Sequence, residues 1–405
     1  MATGRSKPLY IALILMSASS LAAAQAQAAT FKTLTCTHMD VKVNHAPLIG
    51  IEDMAYDPQT ERLYLSAYDR RKVARELKAG QTSLSGGGIF ALNPASLEPV
   101  PLRGDIQAIS VLESVRESGR EFGNFSGKIS GKARPLENTI RPHGMSLSRH
   151  GPALKLSFIE RFFNGEGLVP RLLTLIDNGA EGRDDGSQDS WVLSAQGSLP
   201  CAANDMIIMR DGTHIISSDH KACTVRGQRR ENIFFPKRAY VRFENEAGLS
   251  LELGGLSFAN GVALSADESL LYVAETRKKR LSVYDMRPLK SGELPTLERY
   301  IHLPGGPDNL TLGMDGYVYA ALHTHLMRFG LFRAGGAASA SSRVARVSPS
   351  GEVEIFDMAK NILSGVTVAV PIGSKLWLGA AYDQGLAICD LPPVTAKNQY
   401  KRDVP

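Results

Sequence analysis

The chain reads as an all-β protein, a six-bladed β-propeller closed by strands from its two ends. Three observations predict this. First, six short stretches repeat one grammar: Glu52-Asp53-Met54, His143-Gly144-Met145, Asn204-Asp205-Met206, Asn260-Gly261-Val262, Asp308-Asn309-Leu310 and the plainer Gly365-Val366-Thr367. Each leads into an apolar strand of period 2, usually a Gly/Asp/Pro-type turn, and a second apolar strand, which is the signature of a hairpin. Second, after a first long gap the unit recurs about every 50–60 residues, a period that suits radial repeats. Third, 38 Gly and 21 Pro in 405 residues supply the many turns such a fold needs.

Taken in order, the chain opens with a secretory leader over residues 1–29. Arg5 and Lys7 form its basic start, Leu9–Ser17 an apolar run too short to cross a bilayer, and Ala24–Ala29 carries A-x-A cleavage sites. Residues 30–405 are then expected as one propeller domain, periplasmic or secreted, with no transmembrane segment. Residues 31–50 are expected as the opening strand. The hairpin units follow, for example Met206–Met209, the turn Arg210–Thr213 and His214–Ser217, or Val262–Ser265, Ala266–Ser269 and Leu270–Ala274. Between them, 70–95 ends in the Gly/Ser loop Ser85–Gly88, 105–142 is a long polar connection containing the charged stretch Glu113–Glu121, 179–189 is an exposed turn, and 334–342 is small and flexible. Little helix is expected beyond short segments within 70–80 and 105–120.

The formal charge of +5 falls to about +3 once Arg5 and Lys7 are set aside, too weak and dispersed for nucleic acid. Export permits disulfides among Cys36, Cys201, Cys223 and Cys389, and three pairings are conceivable. Cys36 and Cys389 lie near the ends that a propeller must join, and Cys201 and Cys223 bracket one repeat, so Cys36–Cys389 and Cys201–Cys223 are the expected pairs. No Cys-x-x-Cys occurs to suggest zinc.

If each unit belongs to one blade, the six openings converge on the central axis, where carboxylates and amides surround a point. Glu52-Asp53, Pro142-His143-Gly144, Asn204-Asp205, Phe258-Ala259-Asn260-Gly261, Asp308-Asn309, His323 and Cys389 together resemble the calcium-dependent paraoxonase/arylesterase family, related to the gluconolactonase-like propellers. The likeness runs from about residue 36 to 390, and its most specific part is the stretch Phe258–Glu275. The resemblance implies two calcium ions. It assigns Glu52, Asn204, Asn260, Asp308 and Asn309 to a catalytic ion, and Asp53, Asp205 and the carbonyl of Met145 to a structural one. Oxygen donors of this kind suit a hard cation. It also implies that His143 is the general base, that His323 is a second active-site histidine, and that His220 and Phe258 stand near the substrate.

Two departures from that pattern are visible. Where the family often carries a second histidine behind its base, this chain has Leu156–Phe162, so either Glu160 orients His143 or no dyad operates. And Lys221–Arg242 carries seven basic residues against Glu231, which suits either a weak contact with an anionic surface or substrate or a merely solvated face, rather than an apolar lid. The run Arg277–Arg280 is expected to be solvated. The expected activity is hydrolysis of small-molecule lactones and aryl esters. The alternatives are a sugar lactonase, a strictosidine-synthase-like enzyme on the same propeller, and a calcium-binding propeller without catalysis.

Overall fold

The computed structural model describes residues 30–104, 134–135, 140–150, 153–177, 190–234, 237–359 and 362–394. The leader, Glu113–Glu121 and its neighbouring 105–120 segment, and the turn at 179–189 lie outside the described residues.

Six sheets form the blades of a propeller. Blade 1 is built from Ile51–Asp57, Arg62–Ala67, Gly88–Leu92 and Pro99–Pro101. Blade 2 uses Pro142–His150, Ala153–Phe163, Leu168–Asp177 and Ser190–Ser198, extended by the short Arg103–Gly104 and Arg134–Pro135. Blade 3 is Ala203–Ile208, His214–Ser218, Ala239–Glu244 and Ser250–Leu256, and blade 4 is Ala259–Leu264, Leu270–Glu275, Arg280–Asp285 and Thr296–His302. Blade 5 contains Gly306–Leu312, Val318–His323, Ser342–Val347 and Val353–Met358, and blade 6 Val366–Ile372, Lys375–Ala380 and Leu386–Asp390. The first strand of each blade touches the first strand of the next all the way round, blade 6 returning to blade 1. These inner strands are covered on both faces, which is why their sequences are almost continuously apolar once past the opening residues.

One apolar cluster fills each blade interface. Ile51, Leu63 and Leu65 of blade 1 pack on Val368, Val370 and Trp377 of blade 6, and Tyr64 and Ile89 pack on Leu156, Phe158 and Trp191 of blade 2. Ile159 and Leu172 meet Met206 and Ile216 between blades 2 and 3. Ile215 and Val241 meet Val262 and Leu271 between blades 3 and 4. Tyr272 and Val283 meet Val318 and Ile355 between blades 4 and 5. Tyr319 and Phe356 meet Ala369 and Leu378 between blades 5 and 6. At roughly 25 cal/mol for each Å² of apolar surface removed from water, these interfaces hold the ring together.

The N-terminal segment closes the ring differently from the single opening strand expected over 31–50. Thr30–Leu34 adds to blade 5 in parallel with Val353–Met358, and after Thr35 the chain crosses to blade 6, where Cys36–Met39 runs antiparallel to Leu386–Asp390. A small hairpin, Lys42–Val43 with Ala46–Pro47, leads into blade 1. Two blades are therefore completed by one segment, so its detachment opens two sheet edges at once. Register places Cys36 opposite Cys389, and they are disulfide-bonded with Cα atoms 3.9 Å apart. Cys201–Cys223 is the second bond. Both pairs are those the sequence led us to expect.

Among the described residues, three α-helices interrupt the sheet pattern. Arg70–Lys78 falls where a short helix was expected and is capped by Asp69, whose carboxylate accepts from the Lys72 N–H. Val225–Phe234 and Leu326–Arg333 were not expected. Gly227 and Gly330 lie inside them, and neither sequence carries the apolar stripe that marks a helix from its pattern alone. All three helices join the second and third strands of a blade, so they emerge at the end of the barrel where the inner strands begin.

Closure by Cys36–Cys389 constrains a loop of 353 residues, worth about 5 kcal/mol in the chain-entropy account. Cys36→Ser with Cys389→Ser should lower Tm by roughly 5–10 °C in a thermal melt, and a non-reducing peptide map of the wild type should recover both pairs. An unchanged Tm would place the burden of closure on strand pairing alone.

Candidate metal and catalytic site

Each inner strand slips in register against its neighbour just after it begins. The slips fall between Ile51 and Asp53, Pro142 and Met145, Ala203 and Met206, Ala259 and Val262, Pro307 and Leu310, and Val366 and Val368. A bulge bends the strand and re-aims the side chains in it. The residues within the slips are Glu52, His143 and Gly144, Asn204 and Asp205, Asn260 and Gly261, Asp308 and Asn309, and Thr367, so the repeated grammar of the sequence is the bulge. Two glycines there permit close approach of neighbouring blades. A Cβ on Gly144 would stand 2.6 Å from the Cα of Asp205, and one on Gly261 would stand 2.5 Å from the carbonyl oxygen of Asp308.

The upper layer of the axis collects Glu52, Asn204, Asn260, Asp308 and Asn309, all buried. The three amides spend their N–H groups on neighbours. Asn309 Nδ2 donates to the carbonyl (2.9 Å) and Oε1 (3.2 Å) of Glu52, Asn204 Nδ2 donates to Asp219 Oδ2 (3.4 Å), and Asn260 Nδ2 donates to Asp308 Oδ1. Asn204 Oδ1, Asn260 Oδ1, Asn309 Oδ1 and Glu52 Oε2 are left buried without a hydrogen-bond partner. An unmet buried acceptor costs about 1–3 kcal/mol. Four acceptor oxygens from four blades, converging with no aligned donor, fit a hard cation such as calcium. Thr367 Oγ1 of blade 6 donates to the Glu52 carbonyl at 2.8 Å and fixes that bulge. Among the described residues no three His, Cys, Asp or Glu side chains group as a metal cluster, and the set here is built mostly from amides.

His143 stands beside this layer. Its Nδ1 lies 2.9 Å from Glu52 Oε2, off the alignment of a hydrogen bond, and 3.3 Å from Arg70 Nη2, while Ser66 Oγ donates to its carbonyl at 2.8 Å. Burial pushes the Glu52 carboxyl up, but His143, Arg70 and the Asn309 amide outweigh it and hold it at about 2. Burial lowers the imidazole of His143 against the pull of Glu52, favouring its neutral form. Glu160, fully buried, sits with Arg171, whose Nε is 2.5 Å from its Oε2. The groups that meet His143 Nδ1 are thus Glu52 and Arg70.

One step deeper stand Asp53 and Asp205. Asp53 accepts from the Met54 and Met145 N–H groups, and Asp205 from Met206 and Val262, so each carboxylate ties its own blade to another. Burial raises the Asp53 carboxyl well above its ordinary range, with Asp205 and Glu52 adding to it. Burial likewise raises Asp205 to about 8, despite the Val262 and Met206 N–H groups, with Glu52 and Asp308 contributing. Two carboxylates so placed call for a proton or a cation between them. The carbonyl of Met145 is at hand as a further oxygen, and a cavity of about 450 Å³ opens below, bordered by both aspartates, Met54, Met145, Val262 and Leu310.

The helices bring the rim. His323 Nε2 is 2.7 Å from Asp308 Oδ2, its Nδ1 is buried without a partner, and the ring of Phe329 stacks on it at 3.5 Å. His220 Nδ1 is 2.7 Å from Asp219 Oδ1 and its Nε2 2.6 Å from Asn232 Oδ1; those contacts raise its pKa against burial. Phe258, in the left-handed region at φ 61°, sets its ring edge against His220. Arg277 lies over the Phe258 ring and donates to Asn232, so it is not the solvated turn residue expected. Arg70, Asp219, Thr367 and Phe329 were missed by the sequence reading. Asp219 lies beside His220 in the sequence and Thr367 within the sixth repeat, but Arg70 and Phe329 belong to connections without a repeated signal.

Residues 179–381 match the SMP-30/Gluconolactonase/LRE-like region, half of the chain. The chain belongs to that family. Serum paraoxonase/lactonase 3 of Mus musculus is 25% identical over 202 residues, 47% of this chain and 54% of its own. Protein STRICTOSIDINE SYNTHASE-LIKE 13 of Arabidopsis thaliana is 32% identical over 127 residues, 30% of each. A calcium-binding protein, regucalcin, from Agrobacterium tumefaciens overlays on 89% of this chain and 95% of its own with TM-score 0.49 and 13% identity. The chain spans about half or less of the length of these curated relatives. Family membership and the six blades agree with the resemblance read from the motifs.

Because Gly261 touches the backbone that carries Asp308 and Asn309, Gly261→Ala should force that bulge apart. The expected cost is about 1–3 kcal/mol in a denaturant melt, with a loss of divalent-cation affinity by calorimetry. Wild-type stability and affinity in this variant would show that the close approach does not shape the site.

Proposed function

We propose that the protein is a calcium-dependent hydrolase of lactones and aryl esters, acting outside the cytoplasm as one propeller domain after removal of residues 1–29. The observation that carries this reading is the set of four unpartnered buried oxygens, beside a histidine held close to neutral. Membership in a family of lactonase-like propellers supports it. The two disulfides and the absence, among the described residues, of a helix long and apolar enough to cross a membrane are compatible with an exported protein.

Glu52, Asn204, Asn260, Asp308 and Asn309 would hold the catalytic ion, and Asp53, Asp205 and the Met145 carbonyl a structural one. When bound, the catalytic ion would polarise the ester carbonyl and balance the charge building on its oxygen. In the tautomer whose Nδ1–H faces the Glu52 carboxylate, His143 keeps the Nε2 lone pair for a water. As that water adds to the acyl carbon, Nε2 takes its proton; the bond from acyl carbon to alkoxy oxygen then breaks and the leaving oxygen receives the proton. A lactone yields a hydroxy acid, an aryl ester an acid and a phenol. Asp308 positions His323 at the wall of the site, and Phe329 shields it from water. His220 and Phe258 line the wall at blades 3 and 4, while Glu160 acts at one remove through its pairing with Arg171.

A lactone and aryl-ester screen with and without chelator tests this reading. Chelation should abolish turnover and lower Tm, since a ligand that binds only the native state stabilises it. Glu52→Gln or Asp308→Asn should weaken calcium binding and activity together. His143→Gln should cost about 10²–10⁴ in kcat with calcium still bound. Full activity in excess chelator would overturn the calcium reading, and no turnover of any lactone or ester with calcium present would favour the strictosidine-synthase-like or the non-catalytic alternative.

A further inference from the structure

We propose that the natural substrate carries its own negative charge, a carboxylate or phosphate next to the lactone or ester, and that Arg333 is the residue that reads it. This deepens the hydrolase reading and rests on it for the reaction, though not for the binding. Arg333 ends the helix Leu326–Arg333, one turn beyond Phe329. Residues four apart share a helix face, and on this face Phe329 stacks on the buried His323 and sets its edge to Tyr382. Arg333, itself exposed to solvent, therefore stands at the rim of the site. Within electrostatic range of it lie the side chains of Tyr382 and Tyr68, from blades 6 and 1, and the carboxylates of Asp219 and Asp308, from blades 3 and 5, which together surround the opening. Among the described residues its guanidinium makes no hydrogen bond or ion pair.

The helix that presents it is braced. Arg71 donates to the carbonyls of Tyr382 (2.9 Å) and Phe332 (2.5 Å) and lies over the Phe332 ring at 4.4 Å. Three more arginines share the opening: Arg70 beside Glu52 and His143, Arg161 within range of His143 with Nη2 on the Ala203 carbonyl, and Arg277 beside Asn232. Glu52, Asp53, Asp205 and Asp308 would be balanced by bound cations. Of the carboxylates named here, Asp219 then remains against four arginines, and it is engaged by His220. A site with that balance attracts an anion, whereas a neutral apolar lactone gains nothing from it. The fork of Arg333 suits the two oxygens of a carboxylate or phosphate.

The test uses two γ-lactones of equal size, 5-oxotetrahydrofuran-2-carboxylate and its uncharged carboxamide, on the calcium-loaded protein. The ratio of kcat/KM, carboxylate over carboxamide, should exceed one, fall with added salt, and drop about tenfold in Arg333→Gln, the worth of one charge-assisted hydrogen bond. A ratio unmoved by Arg333→Gln, or no preference in the wild type, overturns the proposal; equal losses on both lactones would mark Arg333 as structural. Calorimetric binding of the same pair to His143→Gln separates the two readings. If no ester or lactone is turned over, the hydrolase reading falls, while tighter binding of the carboxylate that Arg333→Gln removes still upholds the anion site, and equal affinities reject it.

Discussion

Four buried acceptor oxygens at the axis, three from amides with no hydrogen-bond donor and one from Glu52 approached only by His143 and Arg70, are the constraint around which this molecule is arranged. Water would be expected to meet such atoms at a surface, but these lie inside a ring of six blades, where leaving them unmet is costly. The fold supplies what the arrangement demands. Each inner strand begins with a bulge, and the bulges aim Glu52, Asn204, Asn260 and Asn309 at the axis. The amide N–H groups hold neighbouring blades in place and leave the oxygens inward. A cation would complete the set, and the ring would then be tied at its centre as well as at its rim.

Closure matters for the same reason. A site assembled from five separate blades has no geometry until the ring is shut, so the N-terminal segment that completes blades 5 and 6 and the Cys36–Cys389 bond act on the site from a distance. Asp53 and Asp205 serve both ends, each accepting N–H groups of its own and the next blade while its charge acts on the other. Their raised pKa values express the conflict between burial and like charge that a bound cation would relieve.

Much of this was legible in the sequence because it repeats. Period-2 strands and turn residues gave six hairpins, and the Asx, Glu and His residues at the start of five of them marked the bulges. Cys36–Cys389 followed from closure, and Cys201–Cys223 from its bracketing of one repeat. What stayed hidden does not repeat. Val225–Phe234 and Leu326–Arg333 lie in connections of irregular length, carry internal glycines, and are helical because they rest on the rim of the ring rather than because of their own pattern. The partner of His143 was equally hidden. Glu160 lies near it in the sheet, yet Arg171 on the adjoining strand claims that carboxylate, and Glu52 and Arg70 from blade 1 meet the imidazole instead. Tertiary proximity between blades decided a question that spacing along one strand could not.

The central claim concerns what lies between four oxygens, and anomalous diffraction tests it most directly. Crystals grown with terbium, a lanthanide of calcium-like size, should show an anomalous peak on the axis within ligating distance of Glu52, Asn204, Asn260 and Asn309, and should lose it in Glu52→Gln with Asn260→Ala. No peak there, with ordered water donating to those oxygens instead, would contradict the account.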